Sequence, residues 1–167
     1  MPEYPAAVPA RLRYRLCRHC GRALVNFADA EGVVRTRCPA CGWIHYPANV
    51  VGIGAVIVTP AGVVSLHPPG GGAALPGGVV EIGERPEDAV VRACRQETGL
   101  EVEVVRELGR WFWPDHPHGP MLSFGFEVRP VGGTLRDGLE GRAEVRPCGA
   151  FPAIAPARKG SAIRTPP

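Results

Sequence analysis

Two sets of residues in this chain have the types and spacing to do chemistry. Cys17-x2-Cys20 and Cys38-x2-Cys41 are separated by seventeen residues, and each pair runs into a glycine, Gly21 or Gly42. Such pairs form two tight knuckles whose four thiolates close a tetrahedral zinc site, the signature of a zinc ribbon. A closed set leaves no open coordination position, so the zinc is expected to be structural. It substitutes for a core that roughly thirty residues cannot build alone. The second set lies in LPGGVVEIGERPEDAVVRACRQETGL, from Leu75 to Leu100, which carries Glu81, Glu84, Arg92 and Glu97.

These side chains need elements to position them. Pro86 suits a first helical position, where its missing N–H is not needed, and Gly99 suits the left-handed residue after a last turn. A helix over Glu87 to Thr98 follows, and on it positions 93 and 97 share a face. Val50 to Thr59 reads as a buried strand, Pro60-Ala61-Gly62 as a turn, and Val63 to His67 as the partner strand. Val102 to Trp113 and Met121 to Arg129 alternate apolar and polar residues as two further strands. Gly132 to Gly141 reads as a polar hairpin or loop.

The spacing resembles the Nudix box, G-x5-E-x7-R-E-U-x-E-E-x-G-U with U aliphatic. Gly78, Glu84, Arg92, Cys94, Glu97, Gly99 and Leu100 match it. Ala93 stands where the pattern has the glutamate after the arginine, and Gln96 where it has the first of the glutamate pair. The resemblance implies an α/β/α sandwich with a mixed sheet, preceded by the ribbon. It also implies a Mg²⁺ or Mn²⁺ site that activates water against the diphosphate of an X-linked nucleoside diphosphate. Carried over position by position, Glu97, Glu84 and Arg92 are the catalytic candidates. Glu97, Glu84, Glu81 and Glu144 are the candidate magnesium ligands, and Gly77, Gly78 and Trp113 the candidate substrate contacts. In many relatives the strand at Val63 to His67 ends in arginines that meet phosphates; here it offers only His67. The link His45-Tyr46-Pro47 resembles that of ribbon-bearing Nudix proteins, including the NADH pyrophosphatase group.

At 167 residues and 45% apolar content, one domain with a core and a small appendage is expected. The boundaries read as a tail over 1–12, the ribbon over 13–47, the Nudix domain over 48–150 and a poorly ordered segment over 151–167. A net charge of +3 does not by itself imply nucleic acid, but the arginines collect locally: Arg11, Arg13, Arg15, Arg18, Arg22, Arg35 and Arg37 all fall in or beside the ribbon. A nucleic-acid contact there is one reading and a solvated surface the other. The longest apolar run, Val50 to Val58, is too short to span a membrane. No signal pattern opens the chain, and thiol metal ligands suit a reducing compartment, so a cytoplasmic protein is expected. The oligomeric state is not encoded in any pattern.

Three functions stay open on the sequence: a Nudix-fold binder of an NADH or ADP-ribose type ligand with hydrolysis weakened or lost, an active Mg²⁺-dependent pyrophosphohydrolase with a non-standard base, and a zinc-ribbon adaptor for nucleic acid or protein. The two replaced glutamates favour the first, because losing a positioned general base costs about 10²- to 10⁴-fold in rate while Mg²⁺ binding needs only one or two carboxylates.

Overall fold

The computed structural model describes residues 14–147. The expectations on the N-terminal tail and the C-terminal segment fall outside these residues. Contacts divide the chain after Ala48 into two units. The first holds β1 (Val25–Ala28), β2 (Val34–Arg37) and β3 (Ile44–His45), an antiparallel sheet in that order. The second holds β4 (Val50–Thr59), β5 (Gly62–His67), β6 (Gly77–Val79), α1 (Pro86–Thr98), β7 (Leu100–Trp113), β8 (Met121–Gly133) and β9 (Arg142–Arg146).

In the second unit the strand order is β7-β8-β4-β5-β9, with β6 paired to β4. β4 runs parallel to β8 and antiparallel to β5 and β6, so the sheet is mixed. The long β4 serves two sets of neighbours in succession. Its first residues lie between β8 and β6, and its last two, Val58 and Thr59, pair with β5. Among the described residues α1 is the single helix of this unit.

The helix forms as its punctuation predicts. Pro86 occupies the first turn with Glu87 and Asp88, whose charges favour the positive helix end, and Gly99 closes it at φ 72° with its N–H donating to the Arg95 carbonyl. Ala89, Val90, Ala93, Cys94, Glu97 and Thr98 are buried, a stripe at helical spacing. The apolar members join Ile53, Ala55, Ile57, Val64, Leu100, Val102, Phe126 and Val128 in one core. Small residues at 89, 93 and 94 let the helix sit close to the sheet.

Two strands are longer than expected. β7 begins at Leu100, directly after the helix cap, and β8 continues to Gly133, so Gly132 and Gly133 belong to a strand rather than to the loop read from sequence. Pro130 lacks an N–H and reads as a breaker. Opposite it the register shifts between Glu101 and Val102, and the bulge accommodates the missing donor. β7 is an edge strand, studded with Glu101, Glu103, Arg106, Glu107 and Arg110, a charge pattern that discourages edge-to-edge pairing.

β6 packs closely on β4. A Cβ built on Gly77 falls 2.6 Å from the Ile53 carbonyl oxygen, a backbone atom that cannot turn aside. Gly77→Ala should therefore cost about 1–3 kcal/mol of stability, as overpacking does. Urea unfolding of the variant against the parent checks this, with a lower midpoint at unchanged slope as the expected result.

Candidate functional site

In the ribbon, the two cysteine knuckles are near copies of each other. Cys17 N–H donates to the Arg22 carbonyl at 2.8 Å and Cys38 N–H to the Trp43 carbonyl at 2.7 Å. Gly21 and Gly42 N–H groups return to the Cys17 and Cys38 carbonyls. Both glycines take positive φ, 70° and 78°, which the knuckle turn requires. The four Sγ atoms all lie within 4.8 Å of one another, with Cys17 to Cys41 and Cys20 to Cys38 each at 3.5 Å. A tetrahedral ion at a Zn–S distance of about 2.3 Å needs its sulfurs about 3.8 Å apart, so the set fits zinc. The His19 N–H also points at Cys17 Sγ, 3.4 Å away. Burial acts to raise the Cys38 thiol, but the backbone N–H groups of Cys41 and Ala40 outweigh it and bring it to about 7, whereas at Cys41 the Trp43 N–H is outweighed by the surrounding sulfurs, which push the thiol up to about 12.

In the second unit, the loop between β6 and α1 is fastened by one fork. Arg92 donates through Nε to Glu84 Oε1 and through Nη2 to Glu84 Oε2, both at 2.8 Å. The same guanidinium reaches the Val79 carbonyl at 3.0 Å and Gln96 Oε1 at 3.1 Å. The Glu81 N–H closes the turn onto Glu84 Oε2. Arg92 holds the Glu84 carboxyl down at about 2, so Glu84 stays ionised and committed to this clamp. Of the helix candidates, Glu97 is different. It is only 7% exposed, and its Oε2 accepts the Gly77 N–H at 3.0 Å. Burial pushes its carboxyl up to about 7; the Gly77 N–H opposes this, and Glu140 beside it adds to it.

Glu140 is the residue that sequence reasoning missed. It sits on the loop between β8 and β9, whose Gly138 lies so close to α1 that an added Cβ would stand 2.5 Å from the Glu97 carbonyl oxygen. The Arg136 N–H donates to the Thr98 carbonyl, tying the same loop to the helix end. The signal in the sequence was the Gly138-Leu139-Glu140-Gly141 run, two glycines bracketing an acid. Glu144, by contrast, faces His67 at 3.0 Å, Arg142 at 2.7 Å and Arg146 at 2.5 Å, and Arg146 first of all keeps its carboxyl below the ordinary range. His67 is thereby paired with Glu144 and with Ser65 Oγ at 3.1 Å.

The remaining candidates fall as follows. Gly77 supplies the N–H to Glu97, and Gly78 faces the Ala93 methyl, where an added Cβ would stand 3.9 Å away. Ala93 is 2% exposed, whereas Gln96 is on the surface. Glu81 is exposed. Trp113 ends β7 opposite Met121, 39% exposed, while Trp111 lies across Gly125. Among the described residues, the group of three or more potential ligands that converges is the four cysteines; Glu81, Glu84, Glu97 and Glu144 do not gather into another.

The NUDIX domain family matches residues 48–160. The chain belongs to the Nudix family. It is similar to the NAD-capped RNA hydrolase NudC of Chromobacterium violaceum, 33% identical over 148 residues covering 79% of this chain and 53% of that protein. The NudC of Pseudomonas aeruginosa is 37% identical over 126 residues, covering 72% of this chain and 42% of its own. An ADP-ribose pyrophosphatase of Methanocaldococcus jannaschii is 47% identical over 66 residues, 39% of each chain. This Nudix chain thus spans about half the length of the first curated relatives it matches. Its fold is shared with a NUDIX hydrolase from Nitrosomonas europaea at a TM-score of 0.71 and 21% identity, covering 83% of this chain and 81% of that one. No helix of the described residues is long and apolar enough to cross a membrane.

Two predictions follow from these geometries. Purified protein should hold one zinc per chain, and Cys38→Ala should abolish it, as metal analysis will show. The second concerns pH. The Glu97 carboxyl ionises near 7 in the folded chain against an ordinary 4.5, so its protonated form favours folding. That stability is complete below about pH 4.5 and is lost as pH rises through about 7. Glu97→Gln keeps an acceptor for Gly77 and carries no charge. In buffer without added divalent cation it should match the parent near pH 4.5 and exceed it at pH 8 by on the order of 2 kcal/mol. Denaturant unfolding at the two pH values checks the crossover.

Proposed function

We propose that this Nudix protein binds a nucleoside-diphosphate derivative of the NADH or ADP-ribose type together with Mg²⁺ or Mn²⁺, and that its hydrolysis is weak. The observation that carries the reading is the state of the helix. Ala93 is a buried methyl and Gln96 an amide held by Arg92, so Glu97 is the one carboxylate left at the three glutamate positions that the box places on the helix. The names of the curated relatives, NAD-capped RNA hydrolase and ADP-ribose pyrophosphatase, support the ligand class.

The residues present suit a hard divalent cation. Glu97 and Glu140 place two carboxylates side by side, the repulsion between them contributes to the raised carboxyl of Glu97, and Mg²⁺ takes one or two carboxylates with water and phosphate oxygens for the rest. When bound, the ion would neutralise and polarise the diphosphate. The chain itself does the positioning. The Gly77 N–H orients Glu97, the Arg92–Glu84 fork fixes the turn that carries Gly77 and Gly78, and the Arg136 contact holds the Glu140 loop against the helix.

A specific observation also favours an active enzyme with a non-standard base, since Glu140 lies close enough to Glu97 for its charge to help raise the Glu97 carboxyl. As an exposed carboxylate it has the freedom to take a proton from water. The arginines of the ribbon extend the proposal to a nucleic-acid partner, with Arg15, Arg18 and Arg22 exposed.

Calorimetry with ADP-ribose should show binding that requires Mg²⁺ and falls on Glu97→Gln. Binding indifferent to both would remove the Nudix site as the ligand site. Restoring the box by Ala93→Glu with Gln96→Glu should raise hydrolysis of ADP-ribose or NADH about 10²-fold over the parent. Position 96 is exposed and takes the new carboxylate freely, whereas position 93 is buried beside Gly78, so a thermal melt of the variant accompanies the assay. A parent that turns over rapidly, gains nothing from the double variant and loses activity on Glu140→Gln would establish the alternative base.

A further inference from the structure

The ribbon carries an aromatic cavity that its metal does not require. A space of about 400 Å³ is bounded by Tyr14, Arg18, Trp43, His45 and Tyr46. Rings line up through it: His19 stacks on Trp43 at 5.8 Å, Trp43 neighbours His45 at 5.7 Å, and Tyr14 meets His45 edge-on at 4.4 Å. Arg35 lies over the Tyr46 ring at 4.8 Å while paired with Asp29. Tyr14 and Tyr46 are 57% and 61% exposed, although rings serving only as core would be covered.

The wall of this cavity holds an incomplete polar group. His45 is 8% exposed, and its Nε2 has no hydrogen-bond partner. Directly opposite it in the β2–β3 register stands Thr36, 4% exposed, whose hydroxyl also lacks a partner. Both atoms are sealed from solvent, so they lie behind the rings and are not part of the surface that the cavity offers to a ligand.

We propose that the cavity receives a base of a single-stranded nucleic acid, stacked on its exposed rings, with Arg18 meeting the backbone phosphate. Aromatic faces accept any base, and a guanidinium beside them meets the phosphate that every nucleotide carries. The charge selects this occupant over an apolar peptide. Arg15, Arg18, Arg22, Arg35 and Arg37 face only Asp29 and Glu31 within residues 14–48, and Arg18 has no ion pair among the described residues. The inference deepens the proposed nucleic-acid contact of the ribbon and rests on it, but it makes no use of the Nudix site.

The test uses the full zinc-loaded chain and fluorescence anisotropy with three probes: a ten-nucleotide single-stranded RNA, an abasic strand of the same length and charge, and AMP as competitor. RNA should bind at least tenfold more tightly than the abasic strand, and millimolar AMP should fail to displace it. Tyr46→Ala should weaken RNA about tenfold with zinc content unchanged, and Tyr46→Phe should restore binding. Arg18→Gln should instead reduce the salt dependence by about one phosphate contact. Equal affinity for RNA and abasic strand would overturn the base pocket while leaving a phosphate contact standing. No RNA binding at all would overturn both. Displacement by AMP at an affinity matching the RNA would assign the cavity to a free nucleotide and overturn the single-strand occupant. Should Tyr46→Ala release zinc, the RNA and abasic comparison on the unmutated chain decides.

Discussion

The hydrogen bond from the Gly77 N–H to the Glu97 carboxylate, 3.0 Å long, is the contact on which the site of the second unit depends. It joins the short β6 to the last turn of α1, and it gives a desolvated carboxylate its one backbone donor. Burying a carboxylate is costly unless something meets it, and here a single N–H has to do so while Glu140 pushes the other way. The surroundings are built to keep that geometry. Gly77 can approach the Ile53 carbonyl because it has no Cβ, Ala93 lets the Gly78 turn settle on the helix, and Gly138 brings its loop against the Glu97 backbone.

The replaced glutamates are best understood as a change of charge within this frame. Arg92 spends its fork on Glu84 and reaches an amide at position 96, so its charge is matched once and not twice. At position 93 a methyl joins the core beside Val90 and Cys94, which adds apolar packing where a carboxylate would need an ion. The remaining acidic pair, Glu97 and Glu140, is formed across a loop and not along the helix.

How much of this was legible depended on whether the signal was local. The helix limits followed from Pro86 and Gly99, and the metal cluster from two identical knuckle spacings, because caps and turns are written in adjacent residues. The mixed sheet followed from the family resemblance. Glu140 was not legible: its role comes from Gly138 closing on α1, a contact some forty residues distant in sequence and visible only once β8 has returned along β4. Glu144 was named from resemblance, and its contacts with His67, Arg142 and Arg146 arise from the β5–β9 register, where Ser65 faces Glu144 and His67 faces Arg142. The extension of β8 past Pro130 was hidden because the bulge that follows the proline, at Val131, is defined only by the pairing with β7.

The two units reach rigidity by opposite means, and this bears on what each can bind. The second unit has a core of branched and small residues around one helix, so its polar groups must be few and placed; Glu97, the buried acid, is held by one N–H and flanked by one exposed acid. The ribbon has no comparable core. Its thiol cluster and knuckle hydrogen bonds fix the backbone, which leaves its aromatic residues free of that duty. Tyr14 and Tyr46 stand exposed beside Trp43, while the second unit keeps Trp111 and Trp113 less than half exposed. A small module held by a thiol cluster can spare its rings from burial, whereas the Nudix domain gathers its apolar residues into one core. A contact that needs broad aromatic faces is thus more readily built on the ribbon, and a contact that needs one carboxylate at a defined angle on the helix.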